Sequence, residues 1–126
     1  METVITEGNN IIEKFIGIKY DSNKNLFVIS DSEWNNGYDD ALLHLDRIAN
    51  SFDNTEDNHI LYFNSNFDLL MSVCKKWDVF YKEPLIYSNY SEYMRLCDEL
   101  DDSTSCYDLN KLWEQLVENI KWYNSL

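Results

Sequence analysis

The run "DELDDSTSCYD", Asp98 to Asp108, gathers five carboxylates, three aliphatic hydroxyls and one thiol without a single basic residue. Acids so close together can serve a cation site, a solvated loop, or a surface that stands in for nucleic-acid phosphates. The charge of the whole chain bears on the choice. From Asp31 to Asp57 the acids are Asp31, Glu33, Asp39, Asp40, Asp46, Asp53, Glu56 and Asp57, against Arg47 alone, a net of −7. From Glu92 to Asp108 they are Glu92, Asp98, Glu99, Asp101, Asp102 and Asp108, against Arg95 alone, a net of −5. The formal charge of −13 therefore sits almost entirely in two blocks, and the remainder of the chain is close to neutral.

A calcium loop of the EF-hand type needs oxygen ligands at its first, third and fifth positions, a glycine at the sixth and a bidentate acid at the twelfth. Starting at Asp21, Asn23 and Asn25 fall at the right places, but Leu26 stands at the glycine position and Ser32 at the acid position. The Asp98 to Asp108 run has no glycine to wrap it round an ion. His44 and His59 fall on different expected elements, and Cys74, Cys97 and Cys106 show no Cys-x-x-Cys spacing. No metal site and no disulfide framework is expected, and Cys74 and Cys97 read as core residues. The three glycines, at 8, 17 and 37, are scattered, so there is no glycine-rich phosphate loop and no cofactor is expected. Spacing pairs no nucleophile with a base. An enzyme is the third reading, behind two kinds of binding protein.

Duplex nucleic acid carries one charge per roughly 1.7 Å of axis, so about twelve carboxylates on one face could imitate on the order of six base pairs of phosphate. Helix caps account for Asp39, Asp40 and Asp108, and acidic loops aid solubility. Caps account for only a few of the fourteen acids in the two blocks, and like charges so densely placed repel one another. Direct binding of nucleic acid is disfavoured, because the ten basic residues are dispersed apart from Lys75-Lys76. Trp34, in a polar loop, and Trp122, off the centre of its helix stripe, are candidate aromatic anchors for a partner.

These groups must be carried by one domain, residues 1–126, since the length suits a single core and only three Gly and one Pro interrupt it. Ile11, Ile12, Phe15 and Ile16 mark an opening helix over Asn9 to Ile16, capped at Asn9 or Asn10 and stopped by Gly17. Two apolar runs, Ile16 to Tyr20 and Leu26 to Ile29, flank a polar tetrad and read as a hairpin. Asp39 or Asp40 caps a helix with the stripe Ala41, Leu42, Leu45, Ile48, Ala49 and Phe52, and His59 to Phe63 reads as a strand. Ser65 or Asn66 opens a helix with Phe67, Leu70, Met71, Cys74 and Trp77 inward. The run "VFYKEPLIY" has strand composition, with Pro84 confining it to an edge or splitting it. A helix over Ser88 to Leu100 places Tyr90, Tyr93, Met94 and Cys97 on one side. The last, Asp108 to Asn124, has the clearest period: Leu109, Leu112, Trp113, Leu116, Val117, Ile120 and Tyr123. The sum is an α+β fold: a small mixed sheet beginning with a β-hairpin, packed with four to five helices, the last long and amphipathic.

Three of these segments, "NIIEKFIG", "YFNSNFDLLMSVCKKWD" and "LWEQLVENIKWYN", resemble in order segments of small hypothetical proteins of Bacteroidetes phages and prophages, most strongly at "VENIKWYN". That group has no assigned activity, so the resemblance carries over no catalytic residue. It implies provenance, a mobile-element protein. Such a protein is expected in the host cytoplasm, since neither a signal peptide nor an apolar run of membrane-spanning length is present. The expectation that joins provenance to charge is a non-catalytic inhibitor of a basic host protein, a defence nuclease (the anti-CRISPR type) or another nucleic-acid-binding enzyme. The alternative is a phage-type adaptor or homodimer whose charge serves only solubility.

Overall fold

A computed structural model describes residues 2–24, 26–29, 47, 61, 63–78, 84–106 and 108–126. Within them the order is α1 (Glu2–Ile16), β1 (Ile18–Asp21), β2 (Leu26–Ile29), a 3-10 turn (Phe63–Ser65), α2 (Phe67–Asp78), α3 (Pro84–Ser88), α4 (Tyr90–Ser105) and α5 (Leu109–Asn124). The fold is α+β, with an N-terminal hairpin and a long C-terminal helix. No helix among the described residues is long and apolar enough to cross a membrane.

The hairpin forms where the apolar runs place it. Its register pairs Ile18 with Ile29 and Asp21 with Leu26, antiparallel. The Asp21 carboxylate accepts the backbone N–H groups of Asn23 (2.9 Å) and Lys24 (3.3 Å), an Asx turn that uses the oxygen a cation loop would have needed. Ile18 and Phe27 face the core. Gly17, at φ 71°, ends α1 in the left-handed conformation, its N–H returning to the Glu13 carbonyl at 2.9 Å.

The core lies where α1, α2, α4 and the 3-10 turn meet α5. Every residue of the expected α5 stripe is buried or half-buried, and Asp108 caps the helix by accepting the Lys111 N–H at 3.2 Å. Asn66 does the same for Leu69 at 3.0 Å, as expected.

Elsewhere the sequence reading needs correction. The opening helix starts at Glu2, and Asn9 is not its cap. Asn9 sits in the third turn, buried, where its amide donates to Asn64 (3.1 Å) and accepts from the Trp113 indole (2.9 Å). Gly8 explains the approach: a Cβ there would lie 2.3 Å from the Trp113 ring, so only glycine lets α5 come this close to α1. In α2, Phe67 is exposed and the buried face turns toward Leu69, Leu70, Val73 and Trp77. Lys76 also points inward and donates to the Phe15 carbonyl, satisfying an open end of α1, with its charge 4.9 Å from the Phe15 ring centre.

The expected strand at His59 to Phe63 is not formed at its end, since Phe63 belongs to the 3-10 turn; Leu61 and Phe63 are buried all the same. A short apolar run signals burial more surely than backbone type. Pro84 to Ser88 is helical rather than extended, with Pro84 as first residue, where its missing N–H costs nothing. Of the expected Asp39 to Phe52 helix only Arg47 is described, and it is helical and exposed; the rest lies outside the described residues. Cys74 is buried as expected, Cys97 only half so, and Cys106 is exposed.

Candidate acidic interface

The Asp98 to Asp108 run is not a loop. Through Ser105 it forms the last two turns of α4, which continues past the expected end at Leu100. Three hydroxyls fit it to that role. Ser103 donates to the Glu99 carbonyl (3.0 Å), and Thr104 and Ser105 donate to that of Asp101 (2.6 and 3.1 Å). Such bonds back into the preceding turn let Ser and Thr close a helix end. They also engage the hydroxyl hydrogens of all three side chains.

The phase of α4 is set by Tyr93, Leu96 and Leu100, which are buried, Tyr93 against Trp77 of α2, with the helix packed along α5. The Tyr93 hydroxyl donates to the Trp77 carbonyl, and Asn119 of α5 donates to that of Leu96 at 3.3 Å. With that face inward, Asp98, Asp101 and Asp102 face solvent. They lie at i, i+3 and i+4, hence side by side on the helix surface.

The five α4 acids are not equivalent. Arg95 binds Glu92 through Nε (3.0 Å) and Nη2, and Glu99 through Nη1 (2.6 Å). The hydrogen bond from Arg95, aided by its charge, holds the Glu92 carboxyl below the usual range. No basic side chain forms an ion pair with Asp98, Asp101 or Asp102 among the described residues. Loss of solvent around its carboxyl, with the Asp101 charge second, raises the pKa of Asp78 at the end of α2, although that residue as a whole is exposed. A carboxylate from a second helix thus stands near the α4 group. The position is unfavourable for Asp102 in particular: a helix C-terminus bears partial negative charge, and the last turn of α4 has no basic residue to offset it.

The other expected site residues fall as follows. Asp31, Glu33, Trp34, Asp39, Asp40, Asp46, Asp53, Glu56 and Asp57 lie outside the described residues. Trp122 is half-buried, its ring edge-on to Trp77 at 6.4 Å between centres, so its indole is packed on the core. Tyr90 and Met94, expected inside, are exposed, as is Tyr87 on α3. The signal that could have shown this is the competing stripe Tyr93, Leu96, Cys97 and Leu100, richer in aliphatic residues than the one built on Tyr90.

Among the described residues no three His, Cys, Asp or Glu side chains group as metal ligands would. An open depression between α4 and α5 is lined by Ser103, Lys111, Glu114, Gln115 and Glu118. No family model matches the chain, and no curated protein or solved structure matches it either.

Proposed function

We propose that this protein works by binding, without catalysis, as an acidic inhibitor of a basic, nucleic-acid-binding host protein, with a defence nuclease such as a CRISPR effector as the target class. The observation that carries the reading is the placement of Asp98, Asp101 and Asp102: solvent-facing and without ion pairs among the described residues, with Asp102 in the last helical turn, where negative charge is disfavoured. Residues that break a local rule with no local gain are expected where they serve an interaction. Their spacing is of the same order as that of phosphates. Asp98 to Asp102 rises about 6 Å at 1.5 Å per residue, so the three charges stand about 3 Å apart on average along the axis, against roughly 1.7 Å per charge for duplex. The resemblance to phage and prophage proteins favours a mobile-element origin, and with it an encounter in the host cytoplasm. Steering by the −13 net charge would speed association with a basic groove.

The test uses purified guide-loaded CRISPR effectors, reading target-DNA cleavage and displacement of labelled DNA with the parent protein and with the variant Asp98→Asn, Glu99→Gln, Asp101→Asn, Asp102→Asn. Inhibition that competes with DNA, fades steeply between about 50 and 200 mM salt, and drops at least tenfold in the variant is the expected result. Thermal stability should be unchanged or raised. A variant that inhibits like the parent at low salt overturns phosphate imitation by α4. A parent that leaves every effector untouched overturns the target class.

A further inference from the structure

The acidic end of α4 continues into an apolar one. Tyr90 and Met94, 48% and 40% exposed, are at i and i+4, and Asp98 follows at i+8, so all three share one surface row. Asp101 and Asp102 extend the row toward the C-terminus. Just before it, Tyr87 is 77% exposed on α3, where the chain turns into α4 through Asn89, whose N–H bonds the Ile86 carbonyl at 2.9 Å. Two exposed tyrosines and a half-exposed methionine around the junction of α3 and α4 are what interfaces enrich: rigid aromatic anchors and an adaptable thioether. The Tyr90 ring is held from behind by Tyr93, 6.4 Å between centres, so it is presented at little further cost in freedom.

We infer that this row is a two-part docking surface for a basic amphipathic helix of a partner protein, Tyr87, Tyr90 and Met94 taking its apolar residues and Asp98, Asp101 and Asp102 its Lys and Arg. Charge selects the occupant. A second copy would bring another −13 against this face, whereas a basic helix meets carboxylates that lack ion pairs among the described residues. The inference rests on the acidic-binding reading above and adds an apolar anchor that phosphate imitation alone does not need.

The test is calorimetric titration of the full chain with two synthetic peptides of equal positive charge: an amphipathic helix with a Leu/Phe face, and a control with that face replaced by Ser and Gln. The parent should bind the amphipathic peptide at least tenfold more tightly. Tyr87→Ser, Tyr90→Ser, Met94→Ser together should abolish that preference and leave the control peptide's affinity unchanged. Asp98→Asn, Asp101→Asn, Asp102→Asn together should weaken both. Equal affinity of the parent for the two peptides, or a triple-serine variant that keeps the preference, overturns the apolar anchor while leaving acidic binding intact. Failure of both peptides to bind at low salt overturns the acidic reading along with it. A parent that sediments as a dimer, made monomeric by the triple-serine change, assigns the row to a homotypic interface and overturns the inference.

Discussion

Gly8→Ala sets two well-characterised effects against each other. In the middle of α1, replacing glycine by alanine should stabilise by about 1 kcal/mol through helix propensity. The added Cβ, however, would lie 2.3 Å from Trp113 Cζ2 and 2.7 Å from Cη2, distances at which something must move. The indole is a rigid bicycle, and its N–H is engaged with the Asn9 carboxamide oxygen at 2.9 Å, so it cannot withdraw freely. Overpacking of this kind costs about 1–3 kcal/mol, and a hydrogen bond lost in the withdrawal adds about 1 more. The net expectation is a loss of about 1–3 kcal/mol. A urea titration with unchanged slope would show it as a lower midpoint. The decisive control is the same substitution in a Trp113→Leu background, where the ring edge is gone and Gly8→Ala should be neutral or stabilising. Such a difference is the signature of direct contact in a double-mutant cycle. A gain in stability for Gly8→Ala in the parent, or an equal cost in both backgrounds, would refute the claim that close approach of α5 fixes glycine at this position.

Trp113→Ala removes the same contact from the other side and should cost about 3–5 kcal/mol, the range for large aromatic truncations in cores; a loss below about 1 kcal/mol would contradict the buried placement. Burial, reinforced by the charges of Asp78 and Asp101, pushes the Cys74 thiol up to about 12 from an ordinary 9.0. Because the folded value is the higher, the stability tied to the neutral thiol is fully present below about 9 and is lost as pH rises through about 12, at up to ~1.4 kcal/mol per pH unit. Alkaline melts of Cys74→Val should lack that part of the decline, and a disulfide reagent at neutral pH should label Cys106 in the native protein while sparing Cys74 until it unfolds. Fast native labelling of Cys74 would contradict this.

Local pattern was enough where one signal dominated. The seven-residue stripe of α5 is long and periodic, so its buried face could be read directly, as could the hairpin around the tetrad that starts at Asp21, the stop at Gly17 and a cap at Ser65 or Asn66. Each depends on residues within a few positions of one another. The limits appear where two readings of similar apolar content compete. In α4 the stripe on Tyr90 and Met94 and the stripe on Leu96 and Leu100 differ by a modest rotation, and the choice falls to the second because Leu96 and Leu100 meet α5 and Tyr93 meets Trp77. That rotation also turns Asp98, Asp101 and Asp102 outward beside Tyr90 and Met94, so the composition of the acidic face was legible and its apolar neighbour was not. The same holds at Asn9, which has the chemistry of a helix cap but lies inside α1, tied to Asn64 and to a tryptophan more than a hundred residues away. Local preference is worth tenths of a kcal/mol to about one per residue, and burial of a large side chain several times that, so at Asn9 and in α4, where they disagreed, packing against α5 decided.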